Sequence, residues 1–145
     1  MRFFLCNNMW QVYAILAAIF AALTAIFAKV GVSNINSNLA TAIRTVVILL
    51  ITWGIVFATV PLREVKDISR NCLIFLVLSG CATGLSWLFY FKALQVGEAS
   101  KVAPVDKLSV VFTIILAFIF LGEPLSAKVI IGGLLIFAGS LVLIF

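Results

Sequence analysis

Residues 9–28 read MWQVYAILAAIFAALTAIFA and contain no charged side chain. A helix that crosses a bilayer needs about 20 mostly apolar residues, and this stretch has that length. Its apolar residues run on without the strict alternation of a barrel strand. In hydrocarbon every backbone N–H and C=O must be bonded inside the protein, so only helices and closed barrels can span. The stretch therefore reads as a transmembrane helix. Before it stands MRFFLCNN, residues 1–8. Its apolar part is too short for a signal-peptide core and breaks at Asn7 and Asn8. It is expected to be a short tail, and the first apolar run a retained span.

The same pattern recurs outward along the chain. Lys29, Gly31 and the polar residues 33–38 close the first run, and Pro61 closes a second that contains one charge, Arg44. Residues 62–70 carry Arg63, Glu64, Lys66, Asp67 and Arg70 and read as a solvated loop. A third run is free of charge up to Lys92, where a short connection with Gly97 is expected to begin. The fourth run is charge-free only over 108–122. Starting it at Ser100, with Ser100 as N-cap and Pro104 in the first turn, gives span length but takes Asp106 and Lys107 into the membrane. A charge at the helix centre costs roughly 2.5–3.5 kcal/mol, while each Leu, Ile, Phe or Val returns about 0.3–0.6. Eleven such residues between 108 and 121 approximately offset two off-centre charges. Gly122-Glu123-Pro124 ends this span and Ser126 caps the last.

The expected architecture is an all-α membrane protein of five transmembrane helices with short loops, at about 9–29, 38–60, 71–91, 100–122 and 126–145. Composition agrees. Hydrophobic residues make up 65% and charged ones 10%, and the mean hydropathy is +1.30. A soluble domain has about 25% charged residues, so the solvent of this chain must be lipid, and 145 residues leave no room for a further soluble domain.

The net charge of +5 is no sign of nucleic acid here, because scattered loop Lys and Arg set membrane orientation. On five spans, Arg2, Arg63, Lys66, Arg70 and Lys128 fall on the N-terminal side (side A), and Lys29, Arg44, Lys92, Lys101 and Lys107 on the other (side B). The five-to-five division gives little instruction. With Arg44 and Lys107 taken as embedded, it becomes five against three and favours a cytoplasmic N-terminus. Arg44 and Asp106 each lie about 9 Å along their helices from side B. Opposite charges at matched depth can pair, and intramembrane ions also mark solute and proton paths; a structural pair and a functional one both remain open. Lys107, about 100° round the helix, is not expected to share the face of Asp106 well, but it counts with Arg44 and Asp106 among the candidate residues of a substrate or ion pathway. Lys29, Lys92 and Lys101 read as interfacial anchors, Lys29 and Lys92 also as members of the pathway. Trp87, Phe89, Tyr90 and Phe91 form an interfacial belt or, alternatively, a cavity wall, with Trp87 and Tyr90 as its candidates.

Small residues mark close helix contacts in lipid: Ala14, Ala18, Ala21, Ala25 and Ala28, the pair Gly80 and Gly84, and the pair Gly132 and Gly139, with Gly133 and Ser140 beside them. The three cysteines, Cys6, Cys72 and Cys81, have no metal-ligand spacing, and there is no histidine. No catalytic constellation, metal site or cofactor motif is read. Asp106 and Glu123 lie about 25 Å apart along a helix, too far for an acid and base.

Several stretches together carry a resemblance. They are residues 84–97, GLSWLFYFKALQVG; 98–104, EASKVAP; 105–109, VDKLS; and 121–126, LGEPLS, followed by the Gly132-Gly133 helix. Ala28-Lys29-Val30-Gly31 and Ala42-Ile43-Arg44-Thr45 fit as well. In order and spacing they resemble the EamA-type domain of the drug/metabolite transporter superfamily, over essentially the whole chain from Met9. The resemblance implies one EamA-type unit of five helices. Common members carry two such units of opposite orientation around a central cavity, lined by helices 1, 3 and 4 of each, and move small metabolites, amino acids or drugs, usually outward. This chain has one unit, which implies a dimer, and the charge balance permits a chain that inserts both ways.

The sequence thus supports a secondary-transporter half. It is expected to act as a homodimer, antiparallel, moving a small-molecule substrate across the cytoplasmic (inner) membrane, with proton coupling through Asp106. The rival reading is a non-transporting membrane subunit that packs on a partner protein through its glycine faces. A membrane enzyme comes third.

Overall fold

A computed structural model describes residues 9–61 and 68–145 of the chain. The expected tail over 1–8 and the loop charges Arg63, Glu64, Lys66 and Asp67 lie outside the described residues. The helices are α1 Met9–Val32, α2 Ser37–Thr59, α3 Arg70–Val96, α4 Ala99–Asp106, α5 Leu108–Leu116, a π-helical turn Ala117–Leu121, and α6 Ala127–Ile144. α4, α5 and the π-helical turn together form one segment, so five helical segments are long and apolar enough to cross a membrane.

Large apolar side chains cover the helix surfaces. Phe75 is 71% exposed, Phe89 74% and Phe120 78%; faces this apolar require hydrocarbon around them. The threonine hydroxyls along the spans are satisfied internally. Thr24, Thr41, Thr45, Thr52, Thr59, Thr83 and Thr113 each donate to the carbonyl four residues before, which removes a bare polar group from lipid.

The chain divides into two units, one of Ala28–Val96 and one of the residues up to Phe27 with Gly97–Phe145. In the Ala28–Val96 unit the buried residues are Ala28 and Val32 of α1, Ser37, Ala40 and Thr41 of α2, and Phe91 and Leu94 of α3. Asn36 caps α2, its side-chain oxygen accepting the Asn38 N–H at 2.9 Å. α3 continues through Lys92 to Val96, so the connection expected from Lys92 is helix instead. The reason lies in Leu94, which is fully buried, and in good helix formers around it.

In the other unit the fourth span is broken rather than continuous. Its N-cap is Glu98, without a side-chain cap bond, not Ser100. Pro104 lacks an N–H and its ring crowds the preceding turn. Three residues on, the helix tightens: the Lys107 N–H bonds to the Pro104 carbonyl and the Val110 N–H to the Lys107 carbonyl, each at 3.0 Å. The span ends where the N–H groups of Gly122 and Glu123 both reach the Ala117 carbonyl. Gly122 takes φ +65°, a left-handed stop that glycine adopts without strain. Ser126 caps α6, its hydroxyl accepting the Val129 N–H at 3.3 Å.

Candidate functional site

Trp87, Tyr90 and Phe91 occupy positions i, i+3 and i+4 of α3, which places them on one face. The Tyr90 ring stands edge-on to Trp87 at 5.7 Å between centroids, and the Phe91 ring is tilted to it at 5.9 Å. Over this cluster lies the Arg44 guanidinium of α2, its central carbon 3.2 Å from the Trp87 centroid and 5.6 Å from that of Phe91. The electron-rich indole face attracts the cation, by about 2 kcal/mol where water is excluded. α2 and α3 pack together, and Arg44, Trp87 and Tyr90 are half-buried. The structure thus brings three of the expected site residues together. Phe91, buried at the base of the cluster, was signalled by the i, i+3, i+4 spacing; Phe89, two residues before it, is exposed.

Lys29 comes to the end of the same helix. Its Nζ donates to the Leu94 carbonyl at 2.7 Å. The last four carbonyls of a helix have no intrahelical donor, and a cation there also meets the negative end of the helix dipole. Gln95 Nε2 donates to the Ile35 carbonyl at 3.0 Å, pinning the α1–α2 connection to the same end. Gln95 was not singled out in the sequence, where a polar residue beside a presumed loop gives no signal. Lys92 is exposed on α3 and joins neither contact.

Asp106 and Lys107 lie in the other unit. Both are exposed, and they face each other as an ion pair at 3.7 Å, contrary to the expectation that Lys107 could not share the face of Asp106. The 100° offset holds for a continuous helix, whereas this one turns tightly at Lys107. The expected pairing of Asp106 with Arg44 would join different units and stands only as a sequence expectation.

The glycines separate into two kinds. A Cβ on Gly133 would lie 3.1 Å from Ile114 Cδ1, while one on Gly80, Gly84, Gly132 or Gly139 would meet nothing within 4 Å. Within the described unit, α6 therefore packs on α5 through Gly133 and on α4 through the buried Ser140, the companion residues, rather than through Gly132 and Gly139. Of the alanines expected to pack in α1, Ala25 and Ala28 are buried; Ala14, Ala18 and Ala21 are exposed. Among the described residues no group of three or more His, Cys, Asp or Glu could hold a metal.

Five helices long and apolar enough to cross a membrane define a multi-pass integral membrane protein. The comparison with known proteins gives that class a family. The chain belongs to the EamA-like transporter family, whose model matches residues 8–145. It is 53% identical over 137 residues to a Sinorhizobium protein described as an "Uncharacterized transporter in cobO 3'region", with 94% of this chain and 97% of that protein covered. No solved structure matches the chain. Family and relative both point to a transporter rather than an enzyme.

Proposed function

We propose that the chain is one half of a secondary transporter, and that two copies in antiparallel orientation move a small solute outward across the cytoplasmic membrane. The observation that carries the reading is Arg44, a charge kept within a span on the face of Trp87. Such residues in a membrane mark function by default. The family supports it, as does a relative whose own length is nearly that of one such unit. Asp106 is the carboxylate available for proton coupling, and in the antiparallel pair the N-terminus of one copy faces the cytoplasm and that of the other faces outward.

The second copy has a face to pack against. Gly80 and Gly84 of α3 stand open, and Cys81 beside them is exposed. With Cys6 and Cys72 changed to Ser, Cys81 should cross-link two copies in intact membranes. Solute flux into proteoliposomes, with and without a proton gradient, tests the function. The same open face would also seat a different protein. An accessory subunit would purify without self-association and give no flux alone, and that result would overturn the transporter reading.

A further inference from the structure

At 3.2 Å from the ring centroid the Arg44 guanidinium must lie nearly flat on the indole, because an upright one would drive a nitrogen into the ring. A flat guanidinium uses its face for stacking and keeps its edge, with the N–H fork, for something else. Among the described residues that fork bonds to no protein acceptor, yet none of its nitrogens is sealed off from the surroundings. The described charged residues of the Ala28–Val96 unit are Lys29, Arg44, Arg70 and Lys92, all cationic. A stacked arginine whose edge is open, with no carboxylate among the described residues of its unit, is complementary to an oxyanion, which it would bind through two parallel N–H···O bonds.

Resting on the transporter reading above, we infer that the Arg44 edge seats the oxyanion of the transported solute, a small carboxylate or phosphonate with an apolar body. The aromatic side chains supply the rest of the seat. Tyr90 and Phe91 flank Trp87 at 5.7 and 5.9 Å and offer apolar surface beside the charge. The exposed Lys92, next to Phe91 in sequence, adds positive potential that draws anions to this end of α3. The oxyanion could equally belong to a lipid headgroup, so the experiment separates the two sources.

The probes are benzoate and phenylphosphonate, with benzamide as the uncharged isostere, added to the full chain in dodecyl maltoside free of phospholipid. The readouts are Trp87 fluorescence, in a chain with Trp10→Phe and Trp53→Phe, and the Nε–Hε resonance of Arg44. At least one anion should shift both signals saturably, and benzamide should need at least tenfold higher concentration. Arg44→Lys should weaken the anion at least tenfold, since it keeps the charge but loses the fork. If benzamide matches the anions, or neither anion moves the signals, the inference is overturned with Arg44 and the aromatic cluster unchanged. Phosphatidylglycerol added alone that produces the saturated shift, and is not displaced by the anions, also overturns it in favour of a lipid seat. Anion binding without flux of that anion in proteoliposomes would count against the transporter reading while the oxyanion seat stands. Flux of neutral or cationic solutes with no anion binding would do the reverse.

Discussion

The hydroxyl of Ser140 in α6, 4% exposed, donates to the carbonyl of Pro104 in α4 at 3.1 Å. That carbonyl lies at the break in the fourth span, where it already accepts the Lys107 N–H. The carbonyl that Pro104 leaves without its helical donor is that of Ser100, four residues before it; the Pro104 carbonyl itself sits in the tight turn at Lys107, where a serine on a neighbouring helix gives it a second donor in place of water. The break and the serine are thus two parts of one arrangement.

Ser140→Ala should therefore cost about 1 kcal/mol, within the range of interhelical hydrogen bonds in membranes. Ser140→Leu should cost far more, because the added bulk has no room at a buried contact. Thermal unfolding in detergent measures both. Equal effects of the two substitutions would mean that the lost hydrogen bond, and not the added volume, is what matters there, whereas a silent Ser140→Ala would show that the bond contributes nothing.

The neighbouring contact has a different signature. Gly133→Ala places a methyl 3.1 Å from Ile114 Cδ1, the mobile end of a side chain, so the loss should be modest. Ile114→Val removes that methyl, and the double change should be more stable than Gly133→Ala alone. Gly132→Ala and Gly139→Ala meet nothing and should leave the fold of one copy unharmed or improve it by up to about 1 kcal/mol through helix propensity. A self-association assay run beside the unfolding measurement shows whether those two faces serve a second copy.

How much of this was legible beforehand differs by level. The five spans were plain, because an unbroken apolar run such as 9–28 has few alternatives in lipid. The packing faces were not. Gly132 and Gly133 are adjacent, and period alone cannot say which faces a neighbour, since lipid and protein interiors are equally apolar. The end of α3 was misplaced because Lys92 reads as a boundary in a hydropathy pattern, whereas backbone hydrogen bonding follows Leu94. Arg44 and the aromatic cluster were each visible in the sequence. Their contact was not, because it depends on how α2 and α3 are rotated.

Lys29 gives the third expectation. Its Nζ holds the Leu94 carbonyl at 2.7 Å, a charge-assisted bond of the kind worth about 1.5–3 kcal/mol. Lys29→Met keeps the length of the side chain and removes the donor. Amides at the C-terminal end of α3 should then exchange hydrogen faster, while those in its first turns stay unchanged. Lys29→Arg should restore most of the protection. Uniform acceleration along α3 would show that Lys29 acts on the whole helix rather than on its end.

The last expectation concerns Arg44 and Trp87, where two energies of similar size oppose each other. An arginine at a span centre costs roughly 2.5–3.5 kcal/mol. Arg44 lies seven residues after the first residue of α2, about 10 Å along the helix, so its own cost is lower. Stacking on Trp87 returns about 2 kcal/mol when desolvated. The two nearly cancel, and Arg44→Met, which removes both, should leave folding almost unchanged. Trp87→Leu removes only the favourable half and should destabilise by about 2 kcal/mol. In the Arg44→Met background the same Trp87→Leu change should cost close to nothing, since no cation remains to be served. The coupling between the two sites, read from the four unfolding curves in micelles, should therefore be about 2 kcal/mol, well above the scatter expected of independent sites. Strictly additive effects would mean that the charge draws its stability from elsewhere, and that the indole face is not what allows an arginine to remain in this span.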